Sequence, residues 1–167
     1  GDGALELIKR GITKYSNIKN FDTELLRLRF LEIYNNCLLN KTDFYPNVLQ
    51  SLEDLKKMDF TLAICTNKPE LLAKRIIDGL DGSSFFDRIT GGDTYEYRKP
   101  DPRHLINTIL ETGKKVETAI MIGDSDVDAK SAENASLPFI LIEEGYTNVK
   151  TSEMKYDHLI KNFIGLS

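Results

Sequence analysis

Long apolar runs are missing from this chain, and none approaches the ~20 residues that a helix needs to cross a bilayer. No signal peptide is visible either. Runs of one charge are also missing. The 22 basic and 26 acidic side chains are interleaved and leave a net charge of -4, which argues against a nucleic-acid or anionic-membrane partner. Cysteine is scarce, with only Cys37 and Cys65 in 167 residues. A chain of that size needs no disulfide staple, so a reducing cytoplasm is the expected compartment. Internal repeats and low-complexity segments are absent. What is present suits an ordinary core: 41% hydrophobic and 29% charged residues, enough for one domain or a core with a small appendage.

The first part reads as helical. Leu5, Ile8 and Ile12 recur at helical spacing, and after a polar break at Asn17 to Asn20, Asp22 or Thr23 caps a second helix. That helix carries Leu25, Leu28, Phe30, Leu31 and Tyr34 and ends before Asn40 to Asp43. The pattern then changes. Pro46 suits a helix start, with Val48, Leu49, Leu52 and Leu55 as its apolar face. Strands are expected at Phe60 to Cys65, Phe85 to Thr90, Thr118 to Ile122 and Pro138 to Ile142. Helices opening at Pro69, Pro102 and Val127 alternate with them, and a last short helix holds Leu159 and Ile160. This alternation predicts an α/β fold, a parallel sheet with helices on both faces. The expected division is 1–43, a helical piece, and 44–167, the α/β core.

Three loops after expected strands carry groups that an anionic phosphate would want. Thr66 and Asn67 offer a hydroxyl, an amide and backbone N–H groups ahead of a helix N-terminus. Lys99 offers a positive charge in Arg98-Lys99-Pro100-Asp101-Pro102, where the prolines restrict the backbone. Met121-Ile122-Gly123-Asp124-Ser125-Asp126-Val127-Asp128 runs from a strand through a glycine turn into acidic residues. Asp124 and Asp128 are spaced to share one hard cation, and magnesium takes one or two carboxylates beside a substrate phosphate. Such a pair opening a helix also serves commonly as an N-cap. The three loops together suit phosphoryl chemistry, which needs its equatorial oxygens neutralised and held. His104 and His158 have no partner spacing for metal or nucleophile work. Tyr95, Glu96 and Tyr97 read as a solvated loop.

Cys65-Thr66-Asn67-Lys68-Pro69, Gly91-Gly92-Asp93-Thr94 with Lys99-Pro100-Asp101-Pro102, and Gly123-Asp124-Ser125-Asp126-Val127-Asp128 resemble motifs two, three and four of the haloacid dehalogenase superfamily. They are most similar to its phosphoglycolate phosphatase branch. The resemblance covers about Phe44 to Pro138 and extends loosely to Gly1-Asp2-Gly3-Ala4, which looks like a glycine loop within a helical cap. It implies a Rossmann-like three-layer core with a small cap. It also implies Mg2+-dependent hydrolysis of a small phosphorylated metabolite through an aspartyl-phosphate. The catalytic positions it implies are Thr66, Lys99 and Asp124: Thr66 and Asn67 would bind the phosphate, Lys99 would neutralise the nucleophile and the phosphate, and Asp124 would bind magnesium with Asp128 in support. Ser136 stands where the family commonly has glycine.

Motif one, the strand with the family's nucleophilic aspartate, has no counterpart in this sequence. Asp2-Gly3 follows no apolar strand and runs straight into a helix. The chain alone is therefore expected to be inactive. The strands ending at Cys65 and Ile122 would keep unpaired edges, or pair with each other. The alternative reading is a non-catalytic phosphate- or partner-binding remnant, a homodimer or the acceptor of a complementing N-terminal segment.

Overall fold

In the computed structural model, residues 4–15, 21–145, 147 and 149–164 are described. Gly1-Asp2-Gly3, the break at Asn17 to Asn20 and Tyr146 lie outside them. Two helices open the chain, α1 (Ala4–Tyr15) and α2 (Thr23–Asn36). Asp22 caps α2 as expected, its carboxylate accepting from the N–H groups of Glu24 and Leu25 at 3.0 Å. The next helix, α3 (Val48–Lys57), begins two residues beyond Pro46, after Asn47 in a left-handed conformation. Its inward face carries buried Ser51, whose hydroxyl donates to the Phe163 carbonyl at 2.9 Å, while Leu49 is exposed.

The strands come where the sequence places them, but shorter. They are β1 (Ala63–Cys65), β2 (Arg88–Thr90), β3 (Met121–Gly123) and β4 (Phe139–Ile142). Local turns consume the missing lengths. Phe60 is held in the C-terminal turn of α3 by a hydrogen bond to Leu55, with Asp59 left-handed before it. Ser83–Phe85 and Val116–Thr118 wind into single 3-10 turns. One expectation is overturned outright. Leu159 and Ile160 lie not in a helix but in β5 (His158–Ile160), paired parallel with β4. Asp157 anchors that pairing. Its N–H donates to the Phe139 carbonyl at 2.9 Å and its carboxylate accepts from the Phe139 N–H at 2.8 Å. Ladder bonds to a neighbouring strand outweigh the helical preference of so short a segment.

Helices α4 (Glu70–Gly79), α5 (Pro102–Leu110) and α6 (Asp126–Ala135) complete the alternation. The strands form two parallel sheets rather than one: β1–β2, and β3–β4–β5. Among the described residues, β1 and β3 pair with neither each other nor a strand between them. The helices fasten the two sheets together. α5 packs on β1 and β2, α6 packs on β3 and β4, and the two helices pack on each other. Ala129, Ala132 and Ala135 make that contact thin, and Leu105, Leu137, Phe139 and Leu141 fill the core around it. At the end of α6, Ser136 sits in the left-handed region with φ 56°, the conformation that makes glycine the usual residue at a helix C-terminus.

Candidate active site

The loop after β1 is stiffened by its own hydrogen bonds. The Thr66 N–H continues the ladder to the Thr90 carbonyl at 3.0 Å. The Thr66 hydroxyl oxygen accepts from the Lys68 N–H at 3.1 Å, which leaves the hydroxyl proton to be donated elsewhere. Asn67 donates through its amide to the Lys99 carbonyl at 2.9 Å and so ties this loop to the next one. The N-terminus of α4 is not an open anion site. Asp93, from the loop after β2, accepts from the Glu70 N–H at 2.7 Å and caps the helix across 23 residues of chain.

Glycine permits that approach. A Cβ on Gly91 would stand 2.2 Å from the Glu70 nitrogen, and one on Gly92 2.5 Å from the Asn67 carbonyl oxygen. Thr94 closes the clamp, accepting from the Gly91 N–H at 2.7 Å and donating to the Glu70 carboxylate. Beyond it, Tyr95 and Tyr97 are half-buried rather than solvated, and only Glu96 of the three is exposed. The Tyr95 hydroxyl donates to Glu111 at 2.7 Å, and burial together with that carboxylate pushes its pKa up to about 12. Its ring stands edge-on to His104, which is fully buried. Burial, assisted by Lys99, lowers the pKa of His104.

Lys99 reaches back from this loop into the gap between the sheets. Its ammonium donates to the Cys65 carbonyl at the end of β1, at 2.7 Å, and to Asp128 on α6, at 2.6 Å. Both side chains are under a tenth exposed. Asn134 secures the same segment by donating to the Pro100 carbonyl at 3.0 Å. Asp101 caps α5, and the Arg103 guanidinium holds its carboxyl down at about 2.

The acidic loop after β3 divides its two carboxylates by role. Asp128 closes a capping box with Ser125, taking the Ser125 hydroxyl at 2.7 Å and the N–H groups of Ser125 and Asp124 at 3.2 and 3.3 Å. Burial opposes its charge, but Lys99 and these hydrogen bonds outweigh burial and hold the carboxyl below its ordinary range. Asp124 lies half-buried one residue past β3. Gly145 covers it from the end of β4 so closely that a Cβ there would stand 2.3 Å from the Asp124 Cβ.

Thr66, Lys99 and Asp124 thus stand on three loops at the carboxyl ends of parallel strands, where open α/β sheets bind ligands. No group of three or more His, Cys, Asp or Glu among the described residues converges on one point. Sequence reasoning missed the Asp93 cap and the contact between Lys68 and Tyr34. Both are long-range pairings with no local spacing to betray them.

A domain of this build, with these three loops, defines a class. The chain belongs to the haloacid dehalogenase-like hydrolase family, matched over residues 4–142. Within that family it is 37% identical to the phosphoglycolate phosphatase of Agrobacterium fabrum over its whole length, spanning 72% of that protein. It is also 37% identical over 86% of its length to the phosphoglycolate phosphatase of Mesorhizobium japonicum, of which it spans 63%. A crystal structure of a Haemophilus somnus protein, described as a predicted phosphoglycolate phosphatase, superposes with a TM-score of 0.87 at 25% identity. That match covers 98% of this chain and 75% of the other.

Proposed function

We propose that this chain supplies the phosphate- and magnesium-binding part of a phosphomonoester hydrolase acting on a small phosphorylated metabolite, phosphoglycolate foremost. The observation that carries the reading is the buried Lys99 ammonium, held between the Cys65 carbonyl and Asp128 where the two sheets face each other. A cation fixed there gains from neutralising a phosphate dianion, and its two anchors stop it from turning away. The Thr66 hydroxyl donates to a phosphate oxygen, since its acceptor lone pair already serves Lys68. Asn67 holds the Thr66 and Lys99 loops in register.

Asp124 is the residue for a direct bond to magnesium, and Asp128, already engaged by Lys99 and Ser125, supports the site through its neighbours or a water. Bound magnesium would screen the charge on the phosphate oxygens. The helices α1 and α2 act as part of a cap that excludes water from the bound ester. The family's route passes through an aspartyl-phosphate. Thr66, Asn67, Lys99, Asp124 and Asp128 bind and orient the ester in this reading and none of them is the nucleophile, so the 167 residues alone are expected to bind the ester without turning it over. The two free thiols, Cys37 and Cys65, suit a reducing cytoplasm.

A second reading rests on the split sheet. Among the described residues β1 and β3 each keep an unpaired ladder edge, which suits association with a complementing segment or a second copy of the chain. Phosphate release from phosphoglycolate, measured with magnesium and with a chelator, tests the first reading. The chain alone should release none above the blank. Turnover that survives removal of contaminating phosphatase would overturn the assignment of these five residues to binding alone.

A further inference from the structure

A cavity of about 460 Å³ lies between α4 and the start of β2, a volume that suits a small molecule. Phe86 and Ile89 give it an apolar lining, and Lys74, Arg75 and Asp78 of α4 line it with charge, together with Asp87 and Arg88. The loops of the candidate active site follow the carboxyl ends of the strands, whereas Phe86 and Asp87 precede the amino end of β2. The two places are at opposite ends of the β1–β2 sheet, and the phosphate-binding residues take no part in this one.

Most of the charge around the cavity is already matched. Lys74 pairs with Glu70 and Arg88 with Glu111. Asp87 pairs with Lys56 at 3.0 Å and accepts from the Leu62 N–H at 3.1 Å. Arg75 and Asp78 remain. Residues three apart on a helix are neighbours, with Cβ atoms about 5–6 Å from each other. Each of the two nonetheless turns to a neutral group. Arg75 donates to the Asn35 side chain on α2, and Asp78 accepts from the Ser83 hydroxyl at 3.4 Å. One cation and one carboxylate therefore stand side by side at an aromatic wall, each open to a charged partner.

We infer that this cavity binds a free α-amino acid with an aromatic side chain. Such a ligand carries both its charges on one carbon, so its carboxylate meets the Arg75 fork while its ammonium meets Asp78. The side chain then covers Phe86 and Ile89. A phosphorylated ligand fits less well, because Asp78 and Asp87 repel a dianion. In taking the Arg75 guanidinium, the amino acid takes it from Asn35, and so releases one tie between α2 and α4.

Titration calorimetry on the 167-residue chain without magnesium tests this, using phenylalanine, phenethylamine, which lacks the carboxylate, and phenylpropionate, which lacks the ammonium. The parent should bind phenylalanine about tenfold more tightly than either analogue, the worth of one charge-assisted hydrogen bond. Arg75→Gln should erase the preference over phenethylamine, and Asp78→Asn the preference over phenylpropionate. Asn35→Ala frees Arg75 and should tighten phenylalanine by up to about fivefold. Phe86→Leu should weaken all three ligands alike. A parent that does not bind phenylalanine, or binds the three ligands equally, would overturn the inference. So would Arg75→Gln and Asp78→Asn variants that weaken all three by one common factor, which is the mark of a structural role.

Discussion

Most of the charged pairs in this molecule are surface pairs. Arg29–Glu32 and Lys130–Glu133 are largely exposed, and contacts of that kind contribute little. Lys99–Asp128 differs because both partners are buried, so removing one strands the other without solvent. Lys99→Met should therefore cost about 3–5 kcal/mol in urea unfolding, far more than the exposed pairs. A loss no larger than that of Lys130→Met would contradict the anchoring role. His104 gives a pH signature of the opposite kind. Its folded pKa lies below its unfolded value, so the unfolded chain takes up the proton first. The stability held by neutral His104 is complete above the unfolded value and is lost as pH falls through the folded one. Urea midpoints should fall between about pH 7.5 and pH 5.5, and His104→Leu should flatten that slope. Exposed His158 remains in both proteins and serves as the internal control.

Elements here are short and owe their positions to one another. Several helices were legible from a local signal: Asp22 before α2, Pro69 before α4, Pro102 at the start of α5, and the acidic residues that open α6, whose Ser125 cap only the structure shows. Strand existence was legible from apolar runs, but strand length was not. Turns such as the left-handed Asp59 and the 3-10 winding of Ser83–Phe85 decide where pairing starts. β5 was misread because its three residues are too few to show a period, and only the pairing with β4 and the Asp157 bonds identify it. Long-range caps are invisible for the same reason. Asp93 reaches α4 from the following loop, so Asp93→Ala should cost about 1 kcal/mol in urea unfolding, as loss of a local cap does. Asp93→Asn should recover most of that loss. Equal stability of the alanine variant and the parent would show that the α4 terminus needs no cap.

At the scale of the whole molecule, the α5–α6 pair and the buried Lys99 hold the two parallel sheets together among the described residues. α5 and α6 join the sheets on their packed side, and Lys99 joins them at the carboxyl ends of β1 and β3. The residues that resemble the family's motifs are the ones that meet there, because each motif closes a strand with its own local signal, whereas the sheet order depends on pairings between distant segments. What the sequence could not show was how Asp128 spends its carboxylate. Spacing alone made it equal to Asp124, and only the capping box and the Lys99 contact separate their roles. In the proposed function Asp124, with magnesium, holds a phosphate over these loops. The most direct test is the affinity of the chain for phosphoglycolate, by calorimetry, with magnesium and with a chelator, in the parent and in Asp124→Asn. Binding should need magnesium in the parent and be lost in Asp124→Asn even when magnesium is present. Equal, magnesium-dependent binding by both proteins would contradict it.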